Sequence, residues 1–128
     1  MSPQVSQPLS RGHAAVAEAR RVIDALRDQI PGPDGDNLRL LVSELVTNAI
    51  RHGDGHGAPW LEVAIRGDHV RVAVQDAGPG FDPAFRPQAS GDRGWGLLLV
   101  DALAERWGVE RGPCTRVWFD LRLSDGSA

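Results

Sequence analysis

An α+β fold, a two-layer sandwich with helices on one face of a mixed, mostly antiparallel sheet, follows from two patterns in the 128-residue sequence. Apolar residues recur at helical spacing over residues 12–29, 36–50 and 95–106. They alternate with polar residues over 60–66, 70–75 and 115–123, as half-buried strands do. A Gly67-Asp68 turn between the first two strands reads as an antiparallel hairpin.

Residues 1–10 are polar and hold two prolines, so a loose, flexible arm or a short edge strand is expected there. Val16, Ala19, Val22, Ile23, Leu26 and Ile30 form the stripe of the first helix. Pro31-Gly32-Pro33-Asp34-Gly35 then predicts a loop, because two prolines and two glycines interrupt helical bonding. Asp36 or Asn37 is placed to cap a second helix running to Ile50, buried through Leu38, Leu41, Val42, Leu45, Val46 and Ile50. Glycines over residues 53–59 end it. The third helix would bury Leu98, Leu99, Ala102 and Leu103. Val109 leads into a turn at Arg111-Gly112-Pro113, and Val117, Phe119, Leu121 and Leu123 mark the last strand. One domain over 11–123 is expected, with a frayed tail at 124–128.

Composition narrows the function. A net charge of −3 argues against a general binder of phosphate backbones, so no direct nucleic-acid partner is expected. A single cysteine, Cys114, has no internal disulfide partner and suits a cytoplasmic protein. The first ten residues lack a signal-peptide pattern, and no apolar run approaches the ~20 residues that cross a bilayer. All basic residues are arginine, which excludes a Walker A lysine and Schiff-base chemistry.

Three short segments carry the chemistry. Glu44, Asn48 and His52 lie four apart on one helix face, distinct from the leucine stripe, and that face is expected to line a cleft. Asn48 offers a neutral oxygen to a hard cation such as Mg²⁺. Glu44, a turn earlier, could take a proton from an attacking nucleophile. Asp76 follows a strand, and a carboxylate there can accept from an exocyclic amino group such as adenine N6. Gly78 and Gly80 would let a flat ring approach the backbone. Gly91-Asp92-Arg93-Gly94-Trp95-Gly96 opens the third helix, where free N–H groups and the dipole favour phosphate and Arg93 adds charge. Each segment alone is also compatible with ordinary structure: a solvated helix face, a strand-ending turn, a glycine-rich loop.

Together they resemble a family. Glu44-Leu-Val-Thr-Asn48-Ala-Ile-Arg-His52-Gly53 is similar to the N box of the GHKL (Bergerat-fold) ATPase superfamily. Asp76-Ala-Gly78-Pro-Gly80-Phe resembles its G1 box, and Arg93-Gly94-Trp95-Gly96-Leu97 its G2 box. Thr115 resembles the threonine that helps bind adenine in the last element, although Gly112-Pro113-Cys114 replaces the common Gly-Gly before it. The resemblance spans residues 11–123 and implies the histidine-kinase-like ATPase fold. Within the superfamily the chain looks most like the small bacterial anti-sigma factor serine/threonine kinases. That likeness implies ATP and Mg²⁺ as cofactors, Glu44 as general base, Asn48 as Mg²⁺ ligand and Asp76 as adenine reader. His52, Gly78, Gly80, Arg93, Gly94, Trp95, Gly96, Leu97 and Thr115 would complete the nucleotide site. It also implies two protein partners, a sigma factor that is sequestered and an anti-sigma factor antagonist of the STAS type that is phosphorylated.

Alternatives remain at this point. The same fold could serve as a nucleotide-binding interaction module with weak or no catalysis. A two-component histidine kinase catalytic domain is less favoured, because no dimerising helical pair with an acceptor histidine is seen and the segment 81–92 is short for a lid. A gyrase- or mismatch-repair-type ATPase would need a transducer domain. The oligomeric state is open, a homodimer included.

Overall fold

The computed structural model describes residues 4–30, 32–52, 58–76, 95–111 and 114–124. Along the chain lie β1 (Val5–Pro8), α1 (Ala14–Ala25), α2 (Gly32–His52), β2 (Trp60–Arg66), β3 (His69–Gln75), α3 (Trp95–Leu103), β4 (Arg106–Arg111) and β5 (Thr115–Arg122). The strands form one sheet in the order β1-β2-β3-β5-β4, and every neighbouring pair is antiparallel. The β2–β3 hairpin turns at Gly67-Asp68 with Arg66 opposite His69, and Gly67 supplies the positive φ of 59° that a two-residue turn requires.

Alternation along the strands builds the core. Leu61, Val63, Val70, Val72, Val74, Val117, Phe119 and Leu121 bury one face of the sheet. Ala15, Ala19 and Ile23 of α1 and Leu38, Leu41, Val42, Leu45 and Val46 of α2 cover them in the same cluster. α2 packs against α1, α3 and β3, so it holds a central place in the helical layer. The opposite sheet face is a lattice of charge. Arg116 bonds Glu62 at 2.9 Å and Glu110 at 3.4 Å, and Arg71 grips Asp120 at 2.6 Å while its guanidinium lies 4.3 Å from the centre of the Trp118 ring.

Of the two expectations for the N-terminal segment, a flexible arm or a short edge strand, residues 5–8 form the edge strand: Val5 pairs with Val63, and the Gln4 side chain binds the Ile65 backbone from both sides, accepting from its N–H at 2.6 Å and donating to its carbonyl at 3.4 Å. Three departures from the sequence expectations have physical causes. The first helix is shorter than its apolar stripe. A tight bond from Leu26 N–H to Ile23 O (2.9 Å) ends it, yet Leu26 and Ile30 stay buried in the turn that follows. α2 begins earlier than expected, at Gly32, because Pro33 in the first turn forfeits no helical bond. Gly35 suits the crowded junction that results, since a Cβ there would lie 2.5 Å from Arg27 Nη1 and 2.7 Å from the Ile30 carbonyl.

The third departure is larger. The third helix stops at Leu103, and residues 106–111, partly assigned to it from sequence, form β4 against β5. Trp107 and Val109 alternate toward the core, and Gly108 faces Trp118. Ser124, expected in a frayed tail, donates its backbone N–H (2.6 Å) and hydroxyl (3.1 Å) to Asp34 in the first turn of α2. The end of the sheet is thereby tied to the start of the central helix.

Candidate functional site

The stripe that buries α2 also aims its other residues. With Leu41, Leu45 and Val46 fixed in the core, Asn48 is carried to the end of β3 and is only 6% exposed. In the β3–β5 ladder Gln75 lies opposite Arg116, so the next step brings Asp76 beside Thr115, and the Asp76 N–H donates to the Thr115 carbonyl at 2.9 Å. Asp76 and Thr115 are both buried.

Asn48, Asp76 and Thr115 line one cleft. Its remaining described walls are apolar: Leu45 and Ala49 from α2, Val74 from β3 and Val117 from β5. The cleft measures about 260 Å³, counting the part open to solvent. Small-molecule sites share this make-up of apolar walls with a few converging polar groups. Buried polar side chains are the informative ones in a fold. Among the described residues they are Asp34, Ser43, Asn48, Asp76, Thr115 and Asp120. Three serve the fold: Asp34 accepts from Ser124, Ser43 accepts from Arg20 Nε at 2.8 Å and Asp120 binds Arg71 and Arg106. The other three meet in the cleft.

The donor set suits a flat heterocycle. A carboxylate accepts from an amino group, a hydroxyl accepts and donates, and the apolar walls take the ring faces. The Asn48 amide adds a hard oxygen at the α2 side. Glu44 is half-buried one turn before Asn48 and does not line the cleft. His52 is the last residue of α2, and Trp95, Gly96 and Leu97 open α3, which packs on α2; the surroundings of these four side chains lie outside what is described. Gly78, Gly80, Arg93 and Gly94 lie outside the described residues. From sequence, Leu45 was assigned to the core stripe of the second helix and Val74 and Val117 to strands, and none of the four walls was assigned to a site. Strand alternation could have found two of them, because Val74 precedes Asp76 by two and Val117 follows Thr115 by two.

The profile of the histidine kinase-like ATPase domain matches residues 9–121. The sensor histidine kinase component HK1 of Mycobacterium tuberculosis is 38% identical over 77 residues, covering 52% of this chain and 45% of that protein. The serine-protein kinase RsbW of Listeria monocytogenes is 31% identical over 85 residues, covering 55% of this chain and 54% of that one. The chain thus spans about half the length of these two relatives. Among solved structures, the SiaB–SiaC complex from Pseudomonas aeruginosa superposes with a TM-score of 0.64 at 14% identity, covering 93% of this chain and 89% of that one, a likeness of fold. Among the described residues, no helix is long and apolar enough to cross a membrane.

Proposed function

Since the chain belongs to the histidine kinase-like ATPase domain family, we propose that it binds ATP with Mg²⁺ and acts as an anti-sigma factor with serine/threonine kinase activity. In this proposal it sequesters a sigma factor and phosphorylates a STAS-type antagonist. The convergence of Asn48, Asp76 and Thr115 on one cleft carries the nucleotide part. Asp76 and Thr115 would hold the adenine edge, with Leu45, Ala49, Val74 and Val117 against its faces. Asn48 would hold Mg²⁺, which offsets phosphate charge when bound. Glu44, one turn away on the same helix face, would accept the proton of a substrate hydroxyl. His52, Gly78, Gly80, Arg93, Gly94, Trp95, Gly96 and Leu97 would enclose the phosphates. Phosphoryl transfer asks the protein mainly to position reactants and stabilise charge, so a compact site with one carboxylate base is sufficient.

The Listeria serine-protein kinase supports the hydroxyl acceptor. The 38% identity to a sensor histidine kinase component favours a second reading, in which the acceptor is a histidine on another protein. Calorimetry with ATP, with and without Mg²⁺, on wild type and Asn48→Ala tests the site. Mg²⁺-dependent binding that the variant loses is expected; no binding by wild type at millimolar ATP would remove the nucleotide reading. Glu44→Ala should keep ATP binding and lose transfer to the antagonist. The acceptor is then settled by stability of the phosphorylated product. A phosphoserine or phosphothreonine survives acid and is lost in base, whereas a phosphohistidine behaves the other way.

A further inference from the structure

His69 opens β3, and Asp76, which lines the cleft, follows the other end of the same strand. Both nitrogens of the His69 ring meet carboxylates. Nδ1 lies 2.7 Å from an oxygen of Asp68 in the β2–β3 turn, and Nε2 is bonded to Glu105, which sits between the end of α3 and the start of β4. Three arginines stand around the ring: Arg122, its partner in the β5 register, Arg66, its partner across the hairpin, and Arg71, the next residue on its face of β3. Arg122 reaches Asp68 at 3.8 Å and Glu105 at 4.0 Å, Arg66 is exposed, and Arg71 is bonded to Asp120, which also holds Arg106 of β4.

A neutral imidazole has one N–H and one bare lone pair, so it can donate to one carboxylate only while its lone pair faces the other. The imidazolium alone satisfies both contacts. Charged, His69 joins Arg122 in balancing Asp68 and Glu105; neutral, it leaves Arg122 between two carboxylates. Those two carboxylates are not equally able to leave. Asp68 adjoins His69 in the chain, and its carbonyl accepts the Leu123 N–H at 2.7 Å, which fixes the turn to the end of β5. Glu105 arrives from 36 residues along the chain. The junction it belongs to is otherwise held by two backbone bonds of 2.8 Å, from Glu105 N–H to the Asp120 carbonyl and from Ala104 N–H to the Val100 carbonyl. Loss of the proton therefore falls on the contact with Glu105 and loosens the junction without unfolding it. The Glu105 bond and then the Asp68 bond hold the His69 ring above its ordinary value of about 6.5, with burial opposing them.

We propose that His69 is a proton-operated clasp on the sheet: charged, it fastens the α3–β4 junction to the β2–β3 turn, and on losing its proton it releases the junction. The clasp is independent of the nucleotide reading. Because the folded value is raised, the clasp is closed below about pH 6.5 and opens as pH rises through the folded value. NMR titration of the histidine rings in the full chain, combined with amide exchange corrected for intrinsic rates, tests it. The His69 signals, identified by their loss in His69→Gln, should titrate above 6.5, with both ring nitrogens protonated below that midpoint. Glu105→Gln should lower the midpoint, and Asp68→Asn should lower it by less. Added salt should lower it too, because the cluster is partly exposed. From about pH 6 to about pH 9, protection of the Ala104 and Glu105 amides should fall about two- to fivefold. The Asp76 amide, bonded to the Thr115 carbonyl at the other end of β3, should keep its protection. His69→Gln should lack the change and resemble wild type at high pH throughout. A His69 ring that titrates at or below 6.5 overturns the proposal. So does protection at Ala104 and Glu105 that is indifferent to pH, that falls equally at Asp76, or that changes alike in His69→Gln.

Discussion

Asp120 sits 3% exposed on the charged face of the sheet, its carboxylate held by Arg71 through two bonds of 2.6 and 2.8 Å and by Arg106 at 2.9 Å. The Arg71 bond is the main cause that keeps its carboxyl below the usual range; burial pushes the other way without winning, and Arg106 adds to the lowering. Because the folded value is depressed, the stability from this pairing is fully present above about pH 3.9 and is lost as pH falls through the folded value. Asp120→Asn keeps the shape and removes the charge. It should cost about 1–3 kcal/mol at pH 7, toward the lower end because both arginines are partly solvated. The gap between the urea midpoints of the two proteins should narrow as pH falls from about 3.9 through the lowered folded value; a gap that does not change with pH would mean packing, not charge, accounts for the loss. Asp120 was not singled out from sequence, since nothing local to Phe119-Asp120-Leu121 reveals arginines that arrive from β3 and β4.

Residues 106–111 show why one element was misread. Ala102 and Leu103 continue the helical stripe, so the helix looked longer than it is, while Trp107-Gly108-Val109 offers only one clear alternation. Pairing with β5 decides the matter, and that pairing is non-local. Gly108 belongs to the same logic. A Cβ there would lie 2.9–3.0 Å from three atoms of the Trp118 indole, a ring also covered by Arg71. Gly108→Ala should therefore force the ring or the strand aside and destabilise by about 1–3 kcal/mol, read as a lower denaturant midpoint with unchanged slope. Gly108→Ala combined with Trp118→Ala should show little further cost from the added methyl, since the obstacle is gone. Full additivity of the two changes would locate the strain elsewhere. The α2 boundary teaches a similar point: Pro33 and Gly35 read as breakers in sequence, yet a proline in the first turn and a glycine at a crowded junction are both tolerated.

Across the whole molecule, the long periodic elements and two of the three polar residues of the candidate site were legible because each depends on local spacing: the α2 stripe, the β2–β3 hairpin, Asn48 a turn after Glu44, and Asp76 at a strand end. Thr115 was singled out through the resemblance alone, and its place beside Asp76 depends on the β3–β5 register, which local spacing does not reveal. The same topology has a thermodynamic consequence. The cleft lies where α2, β3 and β5 meet, α2 touches both other helices, and Asp34–Ser124 ties its start to the end of β5. A ligand held there spans the central elements, so it opposes global unfolding rather than the fraying of one segment. Ligand present at a hundred times its dissociation constant stabilises by about 2.7 kcal/mol. At about 2–8 °C per kcal/mol for domains near this size, the melting temperature should rise by roughly 5–20 °C. It should keep rising with Mg-ATP concentration and not plateau at one equivalent, because the linkage is logarithmic. Asn48→Ala should retain the nucleotide-only part of the shift and lose the part that Mg²⁺ adds. Asp76→Asn should reduce the preference of the shift for ATP over GTP. Calorimetric melts that show no movement at millimolar Mg-ATP, with the wild-type fold intact, would mean that this cleft does not hold nucleotide in the isolated chain.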